Sequence, residues 1–376
     1  MKIERLFFEL LHVAIGNQNS LSKLPSEKEW KALYDMAQKQ SLLAVCYMGL
    51  KNLGADSDEG FIRIGISEDT YFHWVGMTAI IQQKNQIVDE QCFKLHTKLA
   101  MEGMRSCVLK GQGVGQLYDA HLRGLRQSGD IDIWVDASRK DIIKYVQKVA
   151  PTTNVREHHI ELDAFQETEV EIHFWPAVIR HFLKNRKLQR WFEGKREEQF
   201  NNYLKISDSS KTSELKLCVP ILEFHAVQQM AHMYHHLFDS GIGLRQVMDY
   251  YYVLKALSVT PEKRKTLAAD IKHIGMGRFA SAMMYVLHVT MGLKEEMMII
   301  SPNKKDGEFL LAEIMRGGNF GKYDKKKTRN TSNYFGSFYG SIFRNFRYLR
   351  FNPFDWFWSP LWRLYYFAWR KSNGYH

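Results

Sequence analysis

The chain has 376 residues, 45% hydrophobic and 25% charged, with a formal net charge of +11. This balance excludes a disordered, collagen-like or disulfide-scaffold protein, and the length suffices for two or three domains, each burying its own core. Cys46, Cys92, Cys107 and Cys218 form no CxxC pair, so neither a disulfide framework nor a zinc ribbon is indicated and a reducing cytoplasm fits.

The N-terminal stretch MKIERLFFELLHVAIG sets Glu4 and Glu9 inside an apolar pattern. It reads as an amphipathic helix and not as a signal-peptide core. Helical spacing continues to about residue 100, with Ile3, Leu6, Phe7, Leu10 and Leu11 on one stripe and Leu42, Leu43, Cys46, Tyr47 and Leu50 on another. At Cys107 the period changes. CVLKG is a short apolar run ending in glycine, and IDIWVD and TEVEIHF alternate at a period of two. These are predicted strands, with helices expected over Gln112–His121 and Arg139–Val149. From about Leu215 the spacing predicts helix again, through LCVPILEFHAVQQMAHMYHHLF and, past Ser240-Gly241, GLRQVMDYYYVLKAL. No internal repeat is present.

The charge is concentrated at the C-terminal end. Residues 322–376 carry a net +9 and 19 of the 50 aromatic residues. GKYDKKKTRNTSN reads as a linker ahead of this tail. The run FDWFWSPLWRLYYFAW is broken by Asp355, Pro360 and Arg363 and is shorter than the ~20 apolar residues of a membrane span, so no transmembrane helix is predicted. The expected fold class is α+β: a helical region (1–100), a mixed core (101–205), a second helical region (206–318) and a basic aromatic tail (319–376).

The chemistry concentrates in VLKGQGVGQLYDAHLRGLRQSGDIDIWVD, residues 108–136. Asp130 and Asp132 stand two apart at the start of a predicted strand, so their side chains project to one face. Two such carboxylates repel unless a cation sits between them, and Mg²⁺ takes one or two carboxylates together with phosphates and water. A lone pair of this kind is more often a solvated strand face, but its neighbours add weight. Lys110-Gly111 close a strand where a helix opens, and glycine there lets backbone N–H groups approach phosphate. Arg123 and Arg126 stand where they could clamp phosphate oxygens bidentately. Glu171, on the second alternating strand, could supply a third carboxylate. Glu169 and His173 share its face, so periodicity leaves metal, base and solvated-face roles open among them.

The order Leu109-Lys110-Gly111, Leu117-Tyr118, Arg126-x-Ser128-x-Asp130-x-Asp132 and Glu171-x-His173 resembles the DNA polymerase β-like nucleotidyltransferase superfamily. It is most similar to the bacterial uncharacterised nucleotidyltransferase family and related to the AbiEii-type toxin enzymes. A histidine-rich helix followed by Leu244-Arg245 and Asp249 belongs to the same resemblance, which spans roughly Cys107 to Tyr252. The resemblance implies a polymerase β-like core, a small mixed sheet with helices, between helical accessory regions. It also implies transfer of an NMP from an NTP to an acceptor with two Mg²⁺ or Mn²⁺ ions. Asp130, Asp132 and Glu171 would hold the metals, Glu171 also orienting or deprotonating the acceptor. Lys110, Gly111, Arg126, Ser128 and Arg245 would bind the nucleotide. One departure is that Gly111 is followed by Gln112 in place of the widespread Gly-Ser, with Asp130 nineteen residues beyond Gly111.

Other candidates read more plainly. Of His225, His232, His235 and His236, offsets of 7 and 11 bring His225, His232 and His236 to one helix face. They read as interface histidines, since no Cys or HExxH pattern accompanies them as zinc ligands, with His232 and Arg245 as candidate nucleotide contacts. Gly111, Gly113 and Gly115 lack the dinucleotide fingerprint. His158 and His159, in a polar stretch, read as a solvated strand or turn. The tail has three readings: packing on the body, docking at a membrane surface, or nucleic-acid binding. The alternative to the enzyme is therefore a non-catalytic member of the fold that binds a membrane or nucleic acid through residues 322–376. The expected location is cytoplasmic, with peripheral membrane contact if the tail meets lipid.

Overall fold

The computed structural model describes residues 2–57, 59–150, 154–206, 215–257, 260–324, 346–349, 351 and 353–374. Helix α1 (Lys2–Ala14) buries Leu6, Phe7, Leu10 and Leu11, the apolar stripe read from the sequence. Helix α2 (Glu27–Lys39) starts at a capping box of Ser26 and Glu29, which satisfies its first free N–H groups. Helix α3 (Leu43–Asn52) and the single turn α4 (Gly60–Arg63) lead to α5 (Glu68–Met101), a helix of 34 residues capped by Ser67. At 1.5 Å per residue α5 spans ~50 Å. Its first half packs Tyr71, Trp74 and Ile81 into the helical core, and its second half packs Val88, Cys92, Leu95 and Leu99 under the sheet.

The mixed region contains β1 (Ser106–Val108), α6 (Gln112–Gly115), β2 (Ile131–Val135), α7 (Arg139–Val149), β3 (His159–Leu162) and β4 (Val170–His173). The sheet order is β1-β2-β4-β3, with β2 and β4 parallel and the other pairs antiparallel. One face is apolar: Val108, Ile131, Ile133, Ile160, Val170 and Ile172 pack on α5 and on Ile142 and Val146 of α7. Helices α8 (Phe182–Gly194) and α9 (Arg196–Phe200) and the hairpin of β5 (Tyr203–Ile206) with β6 (Leu215–Cys218) follow. The second helical region comprises α10 (Leu222–Asp239), α11 (Leu244–Leu257), α12 (Pro261–Ile274), α13 (Gly277–Met291) and α14 (Lys304–Gly317). Helix α1 packs on α13, so residues from both helical regions share one continuous core.

The fold is α+β, with a small mixed sheet among helices. Three expectations change. The helix read over Gln112–His121 is only the four residues of α6, because Gly113 and Gly115 in its first turns give weak helical propensity. The helix expected from Leu215 begins instead at Leu222, after strand β6 and Pro220. His158 and His159, read as a solvated strand or turn, are buried, and His159 opens a strand of the sheet. Most of the linker GKYDKKKTRNTSN lies outside the described residues.

Helix α15 (Pro353–Ser372) docks on the body. Asp355 accepts from Lys184 and from the Tyr234 hydroxyl. Arg363 pairs with Asp239 at 2.8 Å, the Trp362 indole donates to Glu157, and the Tyr366 hydroxyl donates to the Val155 carbonyl at 3.2 Å. Among the described residues no helix is long and apolar enough to cross a membrane. The Asp355 side chain is 4% exposed and that of Lys184 15%, so Asp355→Ala leaves a largely buried ammonium without a counter-charge, held only by the Tyr234 hydroxyl at 2.8 Å. Removing one partner of a buried pair costs about 3–5 kcal/mol. The expected result is a loss near the lower end of that range in urea unfolding, with Asp355→Asn losing less. A tail held by its rings alone would lose under about 1 kcal/mol.

Candidate active site

The second face of the sheet is polar. The parallel register pairs Asp132 with Glu171 and Trp134 with His173, and β3 adds His159 opposite His173 and Glu161 opposite Glu171. Because side chains alternate along each strand, all six fall on one face, which looks toward α10. Trp134 ends this polar set by stacking on Phe224 of α10. A cavity of 530 Å³ opens over the rest, lined by Lys110, Gly111, Arg126, Asp130, Asp132 and Glu171 from the sheet side. From the other side come His232, His235 and His236 of α10, Arg245 and Asp249 of α11, Phe320, Lys322 and Tyr366 of α15.

Asp132 is 3% exposed. Its Oδ1 receives Lys110 Nζ at 2.6 Å and His173 Nε2 at 2.8 Å. His173 Nε2 also lies 3.2 Å from Glu171 Oε2. Burial by itself would raise the Asp132 carboxyl, but the Lys110 charge and the His173 hydrogen bond outweigh it and hold the group below its ordinary value. Glu171 is likewise pushed up by burial and drawn further down by the His173 hydrogen bond and the Lys110 charge. In return, burial disfavours the His173 imidazolium, and the bonds to Asp132 and Glu171 reverse this and lift it to about 9. Lys110 is raised as well, the three carboxylates overcoming its burial. The face is therefore a pair of ionised acids neutralised by an ammonium and an imidazolium.

A divalent ion suits this donor set. Hard carboxylate oxygens held ionised against burial, and already gathering positive charge, are what such an ion requires. Among the described residues, Asp132, Glu171 and His173 are compact enough to share one ion. Asp130 stands one residue before β2, half-buried on the cavity wall, so its charge reaches Lys110 and Glu171.

The cationic residues divide. Arg126 is held bidentately by Asp249, at 2.7 and 2.8 Å, and Asp249 also accepts from Tyr118 at 2.7 Å. The remaining Nη1 of Arg126 is buried without a hydrogen-bond partner on the cavity wall. Arg245 donates to the Gln127 carbonyl at 2.8 Å, leaving its Nε similarly unmet. Gly111 lines the cavity at φ +53°, where a side chain would be strained. Ser128 is outside the lining, tied to Gln112 and Asn85. Arg123 is also outside it, exposed and bonded to the Gln116 carbonyl. Glu169 is exposed.

Sequence reasoning missed His158 and His159, which are 9% and 8% exposed and line the cavity. The alternation of HIEL against VEIH was the available signal. It also missed Phe320, a non-glycine residue at φ +51°, ψ 30°. Such a conformation costs ~1–2 kcal/mol and sets the ring beside His236 and Arg245 on the cavity wall. The segment sits tightly, since a Cβ at Gly243 would come 2.7 Å from Asn319 Cα.

A family model described as uncharacterised nucleotidyltransferase matches residues 26–292. The match covers more than half of the chain, from α2 to the end of α13, and the protein belongs to that family. Comparison with curated proteins returns no match.

The buried histidines of α10 make stability depend on pH. Burial pushes His225 down to about 4 and His236 to about 3, from an ordinary 6.5. With the folded value depressed, each proton is taken up by the unfolded chain first. The contribution is therefore intact above pH 6.5 and is lost as pH falls toward 4. Between pH 7 and pH 5 the loss is about 2 kcal/mol per histidine. Melting temperature should fall across that interval, and His225→Gln/His236→Gln should flatten the fall. An unchanged slope in the double variant would contradict the assignment.

Proposed function

We propose that the protein transfers a nucleoside monophosphate from an NTP to an acceptor, a hydroxyl on protein, RNA or a small molecule, the acceptor oxygen bonding the α-phosphorus as the α–β anhydride bond breaks and pyrophosphate leaves. The observation that carries this reading is a single cavity, in a chain of the nucleotidyltransferase family, where Asp130, Asp132 and Glu171 meet Lys110, Arg126 and Arg245. Asp130, Asp132 and Glu171 would hold two divalent ions, Mg²⁺ or Mn²⁺, which supply when bound the charge that neutralises the triphosphate and favours ionisation of the acceptor. Arg126 keeps one edge on Asp249 and turns its unmet Nη1 toward the phosphates, and the unmet Nε of Arg245 does the same from α11. Lys110 can release Asp132 and take a phosphate oxygen when the carboxylate charge is met by other means. Gly111 offers backbone without a side chain, so the triphosphate can lie close to it. Ser128 acts through the turn that it helps to hold. Glu171 orients the acceptor and receives its proton. Catalysis then consists mostly of positioning and charge neutralisation.

The second reading, a non-catalytic protein that docks through its tail, is favoured by one observation. Phe354, Phe357, Leu361, Leu364 and Tyr365 of α15 are exposed and recur at helical spacing along one side, the pattern of an interfacial helix.

Purified protein incubated with each α-labelled NTP, Mg²⁺ or Mn²⁺ and a cell extract should move label to one acceptor class. Asp130→Ala/Asp132→Ala should abolish the transfer. No transfer, together with no metal-dependent NTP binding by calorimetry, would overturn the enzyme reading. Co-sedimentation with anionic vesicles, lost on changing Phe354, Phe357 and Leu361 to Ser, would then support the tail.

A further inference from the structure

Beside the acids lies a second donor set that the transferase reading leaves unused. His158 and His159 approach the fully buried His173 from the neighbouring strand, with ring centroids 5.2 and 5.3 Å from it. The ligand atoms follow one another at nearly constant spacing. His158 Nε2 is 3.3 Å from His159 Nδ1, His159 Nδ1 is 3.3 Å from Glu171 Oε2, and Glu171 Oε2 is 3.2 Å from His173 Nε2. Nitrogen and oxygen donors held ~2.1 Å from one ion in a tetrahedral shell stand ~3.4 Å from each other. One nitrogen from each of the three histidines lies within 4.8 Å of the others.

Two further observations point the same way. His173 Nδ1 faces the Trp175 carbonyl at 3.2 Å. That contact holds a proton on Nδ1, so an ion would have to displace the Nε2 proton now shared with Asp132 and Glu171, leaving Nε2 as the ligating atom. His158 is more than nine-tenths buried, and its Nδ1 has no hydrogen-bond partner, so no competing polar contact holds that edge of the ring. His158 and His159 are buried nitrogen to nitrogen, which gives poor hydrogen bonding, and polar groups buried this way normally find better partners.

We propose that His158, His159 and His173 form a site for one transition-metal ion of the Zn²⁺ class, adjoining the carboxylate site, with Glu171 beside His159 as a further donor. Three imidazoles and one carboxylate select an ion that accepts nitrogen ligands and discriminate against Mg²⁺, which prefers oxygen. The ion would tie β3 to β4 and fix Glu171 and His173, which also neighbour Asp132 in the carboxylate site. The inference otherwise stands apart from that reading.

The test needs no nucleotide, so its failure is separate from failure of the transferase reading. Metal-stripped protein is dialysed against Co²⁺ or Zn²⁺, bound metal is counted by mass spectrometry, and the Co²⁺ visible spectrum is recorded. The expected result is one equivalent retained against excess Mg²⁺, with a spectrum of low-symmetry nitrogen and oxygen ligation. His158→Gln and His159→Gln should each weaken binding by at least the ~10–100-fold that loss of a supporting residue costs a metal site. Asp130→Asn should leave it unchanged. Displacement of Co²⁺ by Mg²⁺, or equal binding by folded His159→Gln protein, overturns the proposal. If the histidine variants fail to fold, the wild-type competition with Mg²⁺ still decides it.

Discussion

A carboxylate with 3% of its surface exposed is the constraint around which this cavity is arranged. Asp132 cannot turn to solvent, because Ile131 and Ile133 on either side are locked into the apolar layer against α5 and α7. The parallel pairing with β4 then brings a second acid, Glu171, to its side. Two buried negative charges are affordable only when paired and hydrogen-bonded. Lys110, from the end of β1, and His173, from the end of β4, meet that demand from opposite sides. Hydrophobic packing thus fixes the strands, the strands fix the charges, and the charges dictate that any chemistry here involves cations.

A second buried network holds the turn that carries the cationic groups. Arg245 and Asp249 are one helical turn apart on α11 and face the same way. Asp249 grips Arg126 and Tyr118, and Arg245 grips the Gln127 carbonyl. The turn before β2 is therefore fastened to the helical region at two points. The residues that carry the family resemblance divide along this line. Tyr118 and Asp249 act by placing Arg126, and only part of Arg126 is left for a ligand. Such a network keeps its geometry because every loss inside it would expose an unpaired buried group.

What was legible in the sequence was what local periodicity records. The stripe of α1, the alternation of IDIWV and VEIH and the span of α7 follow from burial of one face, a signal written within ten residues. Asp130 and Asp132 could be singled out for the same reason, whereas periodicity left Glu169, Glu171 and His173 on one face and only the family resemblance chose Glu171. Partnership across the fold was not legible. The alternation of His159–Leu162 marks a strand, but nothing in it announces that β3 pairs with β4, and its polar side chains mark a cavity wall, not solvent. The docking of α15 was one of three readings of the tail, and the contacts that favour it, Asp355 with Lys184 and Arg363 with Asp239, are ion pairs between residues far apart in the chain. Phe320 sits just before the stretch read as linker, and its backbone strain has no sequence signature.

The position of Lys110 ties the two halves of the proposed chemistry together. With only protein present, its ammonium rests on Asp132, where the acids raise its affinity for the proton and burial opposes it. The same side chain lies 3.3 Å from His232 on α10, and repulsion by Lys110 is one cause that keeps His232 neutral. A cation delivered to Asp132 from outside removes the reason for Lys110 to stay, and an anion between the sheet and α10 gives it a new partner. Each event therefore makes the other easier. Linkage requires that help to be reciprocal, so in the proposed chemistry cation and triphosphate would bind more tightly together than either does alone. The coupling comes from a single lysine lodged where two negative charges meet, and it follows from burial of Asp132 and not from any contact between the two ligands.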